Sequence, residues 1–144
     1  MIEFPRKVNG HAFLDFRGSV LFNNDLDLGV FQRLYVIKNS FEAPTRGWHG
    51  HKFESKIFIP LTGAVRVGAV FIDDWLTPDP GATPEICNLQ AGKLDAFLVP
   101  GGYANAVMSL EVNSSVLVLS SSSLEDSQKD DYRFPLDYWS LEAH

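Results

Sequence analysis

An all-β single domain, an antiparallel sandwich or barrel closed as a jelly roll, is the fold class that three observations predict. Phe, Trp and Tyr make up 12% of the chain beside 11 glycines and 8 prolines, a mixture that favours pleated strands broken by turns over long helices. The apolar residues gather in short runs rich in β-branched and aromatic side chains, each bounded by Gly, Pro, Asn, Asp or Ser. No window repeats apolar residues at three, four and seven over three turns, so no crossover helices are expected between the strands. A chain of 144 residues (1–144) fits one such domain with one core.

The elements follow in order. Two weaker strands, Phe13 to Phe16 and Val20 to Phe22, flank the turn at Arg17-Gly18. Stronger strands are expected over Gln32–Lys38, Ser55–Leu61 and Ala64–Ile72. The proline-rich stretch Trp75–Pro84 reads as a surface loop inside the domain, because strands continue on both sides of it. Ala96–Pro100, Ala104–Glu111 and Ser115–Ser120 complete the strands, and the serines Ser120 to Ser123 end the last of them and begin a loop. Only Leu124–Asp131 has room for a helical turn or two. Many short strands without helices between them in a chain of this size predict a jelly roll rather than an open sheet.

The composition excludes several functions. A formal charge of -6 and a pI near 5.1, with no block of Lys or Arg, argue against nucleic acid as a partner. No stretch approaches the roughly 20 apolar residues of a spanning helix, and Met1 to Gly10 lacks the apolar segment of a secretory signal, so a soluble cytoplasmic protein is expected with no membrane partner. The single cysteine, Cys87, forms no internal disulfide and reads as a small, partly buried side chain.

The chemistry concentrates in Arg46 to Glu54, RGWHGHKFE. His49 and His51 stand two apart, so in a strand both imidazoles lie on one side of the sheet. The same alternation joins Arg33 to Tyr35 and puts Leu34 and Val36 opposite them, leaving open which face is the interior. If the polar faces point inward, Arg33, Tyr35, His49 and His51 surround one mouth; otherwise they are outward polar residues. His11 and His144 lie in less patterned surroundings and read as exposed.

A histidine pair raises a metal reading. Metal-binding jelly rolls of the cupin type carry His-x-His, a glutamate shortly after, and a last histidine following a Pro-x-Gly turn. Here Glu54 comes early, and after Pro100-Gly101-Gly102 it is Asn105 that occupies the last position. Amide oxygen is a weak ligand for transition metals, so no metal site is expected. Two imidazoles near neutrality beside a tyrosine and arginines instead make an acid/base site for a small anionic or phosphorylated carbonyl compound.

Four segments in succession carry a family resemblance: Asp15-Phe16-Arg17-Gly18-Ser19, Gln32-Arg33-Leu34-Tyr35-Val36-Ile37, Arg46-Gly47-Trp48-His49-Gly50-His51-Lys52 and Asp130-Asp131-Tyr132-Arg133. In order and spacing, from Asp15 to Phe134, the chain resembles the nucleotide-sugar 3,4-ketoisomerases of the cupin superfamily. The resemblance implies a metal-free homodimeric jelly roll without cofactor, moving the carbonyl of a dTDP-4-keto-6-deoxyhexose from C4 to C3 through an enediolate. It implies His49 as the base at C3, His51 as the assistant at C4, and Tyr35 as a catalytic partner that orients the sugar or shares that transfer. Arg33, Arg46 and Arg17 would bind substrate, with Lys52 completing the motif and Asn105 on the later strand.

The dTDP-4-keto-6-deoxyhexose 3,5-epimerases also carry Arg-Gly-x-His, with a lysine that Lys56 matches as a further substrate ligand. The excursion Phe71–Thr83 and the Pro100 turn resemble that group, but its acid tyrosine is missing from the strand ending Leu117–Ser121, with Tyr103 as the one substitute nearby. The small residue Gly50 replaces the alanine often found between the histidines, and on sequence grounds this is harmless. A metal-dependent cupin oxygenase and a non-catalytic sugar-binding module complete the alternatives.

Overall fold

The computed structural model describes residues 3–142, and His144 lies outside them. Two five-stranded antiparallel sheets face each other. The first runs β1 (Arg6–Val8), β9 (Ala96–Val99), β6 (Lys56–Thr62), β11 (Ser115–Ser120), β4 (Arg33–Ile37). The second runs β12 (Tyr132–Arg133), β5 (Thr45–His51), β10 (Tyr103–Ser109), β7 (Ala64–Phe71), β8 (Glu85–Gln90). A separate hairpin, β2 (His11–Asp15) with β3 (Gly18–Phe22), pairs only with itself. This is the expected jelly roll, with sequence-distant strands as neighbours in both sheets.

Four of these strands, β1, β5, β8 and β12, are absent from the strands set out above, although the His49–His51 alternation already supposes a strand at β5. β8 reads EICNLQ, in which only Ile86, Cys87 and Leu89 are partly or fully buried. A polar edge strand with so few apolar residues gives too weak an alternation to register. The one helix among the described residues, α1 (Leu124–Lys129), falls where a helical turn was expected, and Ser123 caps it by accepting the Asp126 N–H.

Alternation splits each sheet between two apolar layers. The layer between the sheets holds Phe58, Val65, Val67, Ala69, Cys87, Leu89, Phe97, Val99, Val107, Val116 and Val118, all buried. Cys87 is buried, as its bland reading required, and that burial pushes its thiol up to about 11. The opposite face of the first sheet packs Ile57, Ile59 and Leu98 beneath Leu26 and Phe31. The opposite face of the second packs Trp48, Val70, Ala104 and Ala106 beneath the C-terminal segment with Trp139.

That last layer also receives the loop between β7 and β8. Trp139 Nε1 donates to the Asp79 carbonyl at 2.9 Å and Tyr138 Oη to that of Pro78, so the loop lies over the outer face of the second sheet. Its Trp75 ring packs on Tyr132 with centroids 4.8 Å apart. Gly50 lies directly below: a Cβ there would come within 2.9 Å of the Trp75 ring and 3.0 Å of Phe134. The glycine therefore makes room for the inserted loop, and an alanine in its place is not the neutral exchange the sequence suggested. Gly50→Ala is expected to lower stability by about 1–3 kcal/mol through overpacking, read by urea denaturation; an unchanged midpoint would mean that Trp75 sits loosely.

Candidate active site

Between the sheets, at the side where β4 approaches β5, a cavity of roughly 560 Å³ opens. Tyr35, Val36, Ile37 and Lys38 line it from β4 and its end, Lys56 and Phe58 from β6, Arg46 and His49 from β5, and Asn105 and Val107 from β10. The ambiguity of face is thereby resolved. Arg33 and Tyr35 are half-buried toward the interior, while Leu34, 65% exposed, and Val36 point out.

Alternation alone does not bring Arg46 to the same side as His49, because they stand three apart. A bulge does. On β10, Asn105 pairs with His49 and the next residue, Ala106, pairs with Gly47, so Trp48 is skipped by β10, exchanges backbone hydrogen bonds with Phe134 instead and turns to the outer layer. Gly47 takes φ +148°, and a Cβ there would lie 2.5 Å from that of Ala106. Only glycine suits that position. Arg46 is exposed at the rim, its Nε donating to Asn39 Oδ1 at 3.4 Å.

His49 forms part of the cavity wall and is half-buried. Burial, reinforced by the charges of Lys56 and Arg133, lowers its pKa to about 4. At neutral pH the ring is uncharged and free to accept a proton. Across from it, Lys56 Nζ donates to Tyr35 Oη at 2.9 Å and lies 5.6 Å from the center of that ring. A buried ammonium next to a phenol is suited to hold an oxygen that gains negative charge. Asn105, buried opposite His49 in register, adds an amide to the wall.

His51 sits deeper, 4% exposed and outside the cavity lining. Its Nδ1 lies 2.6 Å from the Asp130 carbonyl, which only accepts, so Nδ1 carries the proton. Glu54 Oε2 lies 3.1 Å from the same nitrogen, and Nε2 is buried with no partner among the described residues. Burial first, and then the charge of Lys56, lowers the pKa of this ring as well. The Asp130 carboxylate accepts the N–H groups of Lys52, Phe53 and Glu54 at 2.7 to 3.0 Å, which fixes the chain just after the histidine pair.

Three expected substrate ligands are placed elsewhere. Arg33 Nη2 is ion-paired with Glu54 Oε1 at 3.0 Å and the guanidinium does not line the cavity. Arg17 pairs with Asp15 at 2.6 Å in the exposed turn of the β2–β3 hairpin. Lys52, one residue past His51, emerges on the outer face over the rings of Tyr132 and Trp75, at 5.1 and 5.7 Å. Tyr103 packs edge-on against Phe71 rather than on the cavity. His11 is exposed and stacks on Phe22.

The wall residues Lys38, Ile37, Phe58 and Val107 were not singled out from sequence. Parity with Tyr35 carried the signal for Ile37, and parity with Asn105 that for Val107. The donor set does not fit a metal cage: among the described residues no three His, Cys, Asp or Glu side chains converge, and Glu54 is committed to Arg33 and His51.

Both histidines have pKa values below that of an unfolded chain, which fixes the sign of an acid effect on stability. As pH falls from about 6.5 towards 4, the unfolded chain binds protons that the folded chain does not. Stability is therefore fully present above about 6.5 and declines through that window. Denaturation midpoints measured from pH 7 to 4 should fall, and less steeply in His49→Asn; equal slopes would contradict the buried neutral ring.

No protein-family profile matches the chain, and no curated protein matches it in sequence. Solved structures do match. A 3,4-ketoisomerase from Helicobacter canadensis superposes with a TM-score of 0.69 at 19% identity, over 93% of each chain. A sugar 3,4-ketoisomerase from Thermoanaerobacterium thermosaccharolyticum in complex with TDP gives 0.67 at 20% identity, over 96% of this chain and 93% of the other. A dTDP-4-dehydrorhamnose 3,5-epimerase from Bacillus anthracis with TDP and pyrophosphate bound gives 0.74 at 19% identity, over 92% and 79%. The chain has the fold that these enzymes share.

Proposed function

We propose that this protein is a cofactor-independent isomerase of a nucleotide-activated 4-keto-6-deoxyhexose that moves the carbonyl from C4 to C3. The observation that carries the reading is the cavity wall, where a neutral His49 faces the Lys56–Tyr35 pair. His49 takes the proton from C3, which the adjacent C4 carbonyl makes acidic. The C4 oxygen gains charge as the enediolate forms and is held by the Lys56 ammonium and the Tyr35 hydroxyl. Proton return to C4, with passage of the O3 proton to the C4 oxygen, leaves the ketone at C3 and a hydroxyl at C4, and His51, behind the cavity wall, assists this second transfer. Arg46 and Lys38 at the rim supply cations for the diphosphate.

Lys56 also supports a second reading, the 3,5-epimerase, whose lysine it matches. Against that reading, β11 offers Val118 opposite Tyr35 and Ser120 opposite Arg33, so no acid reaches the opposite sugar face from that strand. Solvent deuterium incorporation into dTDP-4-keto-6-deoxyglucose separates the two. A 3-keto product labeled at the new C4–H position is expected; label at C5 with the ketone still at C4 moves the assignment to the epimerases, and no label or product at all leaves a sugar-binding module.

The active form under this reading is a cytoplasmic homodimer. The β2–β3 hairpin exposes Phe13, Leu14, Phe16 and Val20, Phe16 at 97%, and β4 adds Leu34 and Val36 on the outer face of an edge strand. Such apolar surface on a small chain is consistent with a second copy covering it. Light scattering should give twice the chain mass, and Leu14→Asp with Phe16→Asp should return it to the monomer; a monomeric wild type would remove the dimer.

A further inference from the structure

The residue between the histidine pair and the first sheet, Glu54, is nearly fully buried and touches neither the cavity nor solvent. Each of its oxygens has partners. Oε1 accepts from Arg33 Nη2 at 3.0 Å and from the Ser120 hydroxyl. Oε2 accepts from Ser127 Oγ at 3.3 Å and lies 3.1 Å from His51 Nδ1. Four elements or their ends meet at this one carboxylate: β4 through Arg33, β5 through His51, β11 through Ser120 and α1 through Ser127. A buried carboxylate without partners would be costly, and Arg33 and the two hydroxyls remove that cost while leaving one oxygen for the imidazole.

We propose that Glu54 is a positioning residue for His51: anchored by Arg33, Ser120 and Ser127, its carboxylate stands 3.1 Å from Nδ1, whose proton the Asp130 carbonyl accepts, and its charge supports the ring when Nε2 exchanges a proton. Arg33 then serves the reaction through Glu54 and not through the substrate. This rests on the isomerase reading for the importance of His51, but the geometry of the pair does not. The Asp130 carbonyl alone sets which nitrogen carries the proton. What the Glu54 charge adds is stabilization of the ring when Nε2 receives a second proton, the task an orienting carboxylate performs behind a catalytic imidazole. The other charged or titratable groups acting on His51 are Lys56, His49 and the Asp130 carboxylate, so they must stay intact in the test.

The test follows the ring nitrogens of the full chain, labeled with 15N, from about pH 4 to 8, in wild type, Glu54→Gln and the double variant Glu54→Gln/Arg33→Met. The double variant removes the arginine charge that the single one leaves unpaired, and it provides the measurement should the single variant not fold. In wild type the neutral His51 ring should carry its proton on Nδ1. Its titration midpoint should fall in both variants, furthest in Glu54→Gln, where the Arg33 charge stays without its partner. kcat should fall roughly tenfold to a hundredfold with KM little changed, and the acid limb of the pH profile should move down with the midpoint. A midpoint unchanged in both variants, beside a lower melting temperature, would make Glu54 a structural residue only and overturn the proposal. Because the ring titration is read without substrate, it decides the hold of Glu54 on His51 even where the wild type shows no isomerase activity, a result that would remove the functional reading instead.

Discussion

His49→Asn should lower turnover of dTDP-4-keto-6-deoxyglucose by roughly a hundredfold or more while leaving the fold intact, the size of a lost general base. The side chain is half-buried on the cavity wall, and asparagine is smaller and uncharged, so the change removes the basic nitrogen without placing a charge in the interior. Its low pKa, about 4, sharpens the expectation. Such a ring is a weak base in the ground state, and it abstracts a carbon-bound proton effectively only where the forming enediolate is stabilized by something else. Exchange of the C3 hydrogen with solvent should vanish together with turnover. Exchange that persists at the wild-type rate would mean that another group is the base, and His51 would be next in line.

The two histidines were legible as a pair because strand alternation makes residues two apart share a face, and the same rule joined Arg33 to Tyr35. What alternation leaves open is which face points inward. That was settled by packing: Leu34 and Val36 on β4 remain outside, and the layer between the sheets is filled by Phe58, Val107 and Val118 up to the edge of the cavity. Alternation also sets Lys52 opposite His51, and the structure puts it there, over the Trp75 and Tyr132 rings, in spite of its place in the motif. Arg46 shows the reverse. Its odd spacing from His49 points it away, and only the bulge at Trp48, which β10 skips, brings it back, a bulge that depends on what β10 offers at Ala106.

Arg33 is held off the cavity for a reason that lies 21 residues on, in the acid at Glu54, which no pattern within β4 contains. Asp130 is further still, and its support of the His51 loop arises because α1 returns the chain to β5. Residues that face the cavity can be read from local periodicity, whereas those that hold the facing residues in place depend on contacts between distant segments, which one strand's sequence does not encode.

Lys56→Met is the second large effect, and it separates charge from shape. Methionine keeps the length and apolar stem of the side chain, so the β6 wall and its Phe58 neighbour should remain packed. Two consequences follow from losing the ammonium. The enediolate oxygen loses the cation beside Tyr35 Oη, and kcat should fall on the order of a hundredfold, comparable with the loss of one oxyanion donor. His49 meanwhile loses a positive neighbour that depresses its pKa, so its midpoint should rise from about 4, though burial keeps it below the ordinary value. The two effects oppose each other on base strength: the variant has a stronger base and yet is slower. A slower Lys56→Met enzyme whose His49 midpoint has risen places the rate loss on the charged oxygen of the transition state. A variant that keeps wild-type kcat while the midpoint rises would show that Lys56 tunes the base only, and the oxygen would then be held by Tyr35 alone.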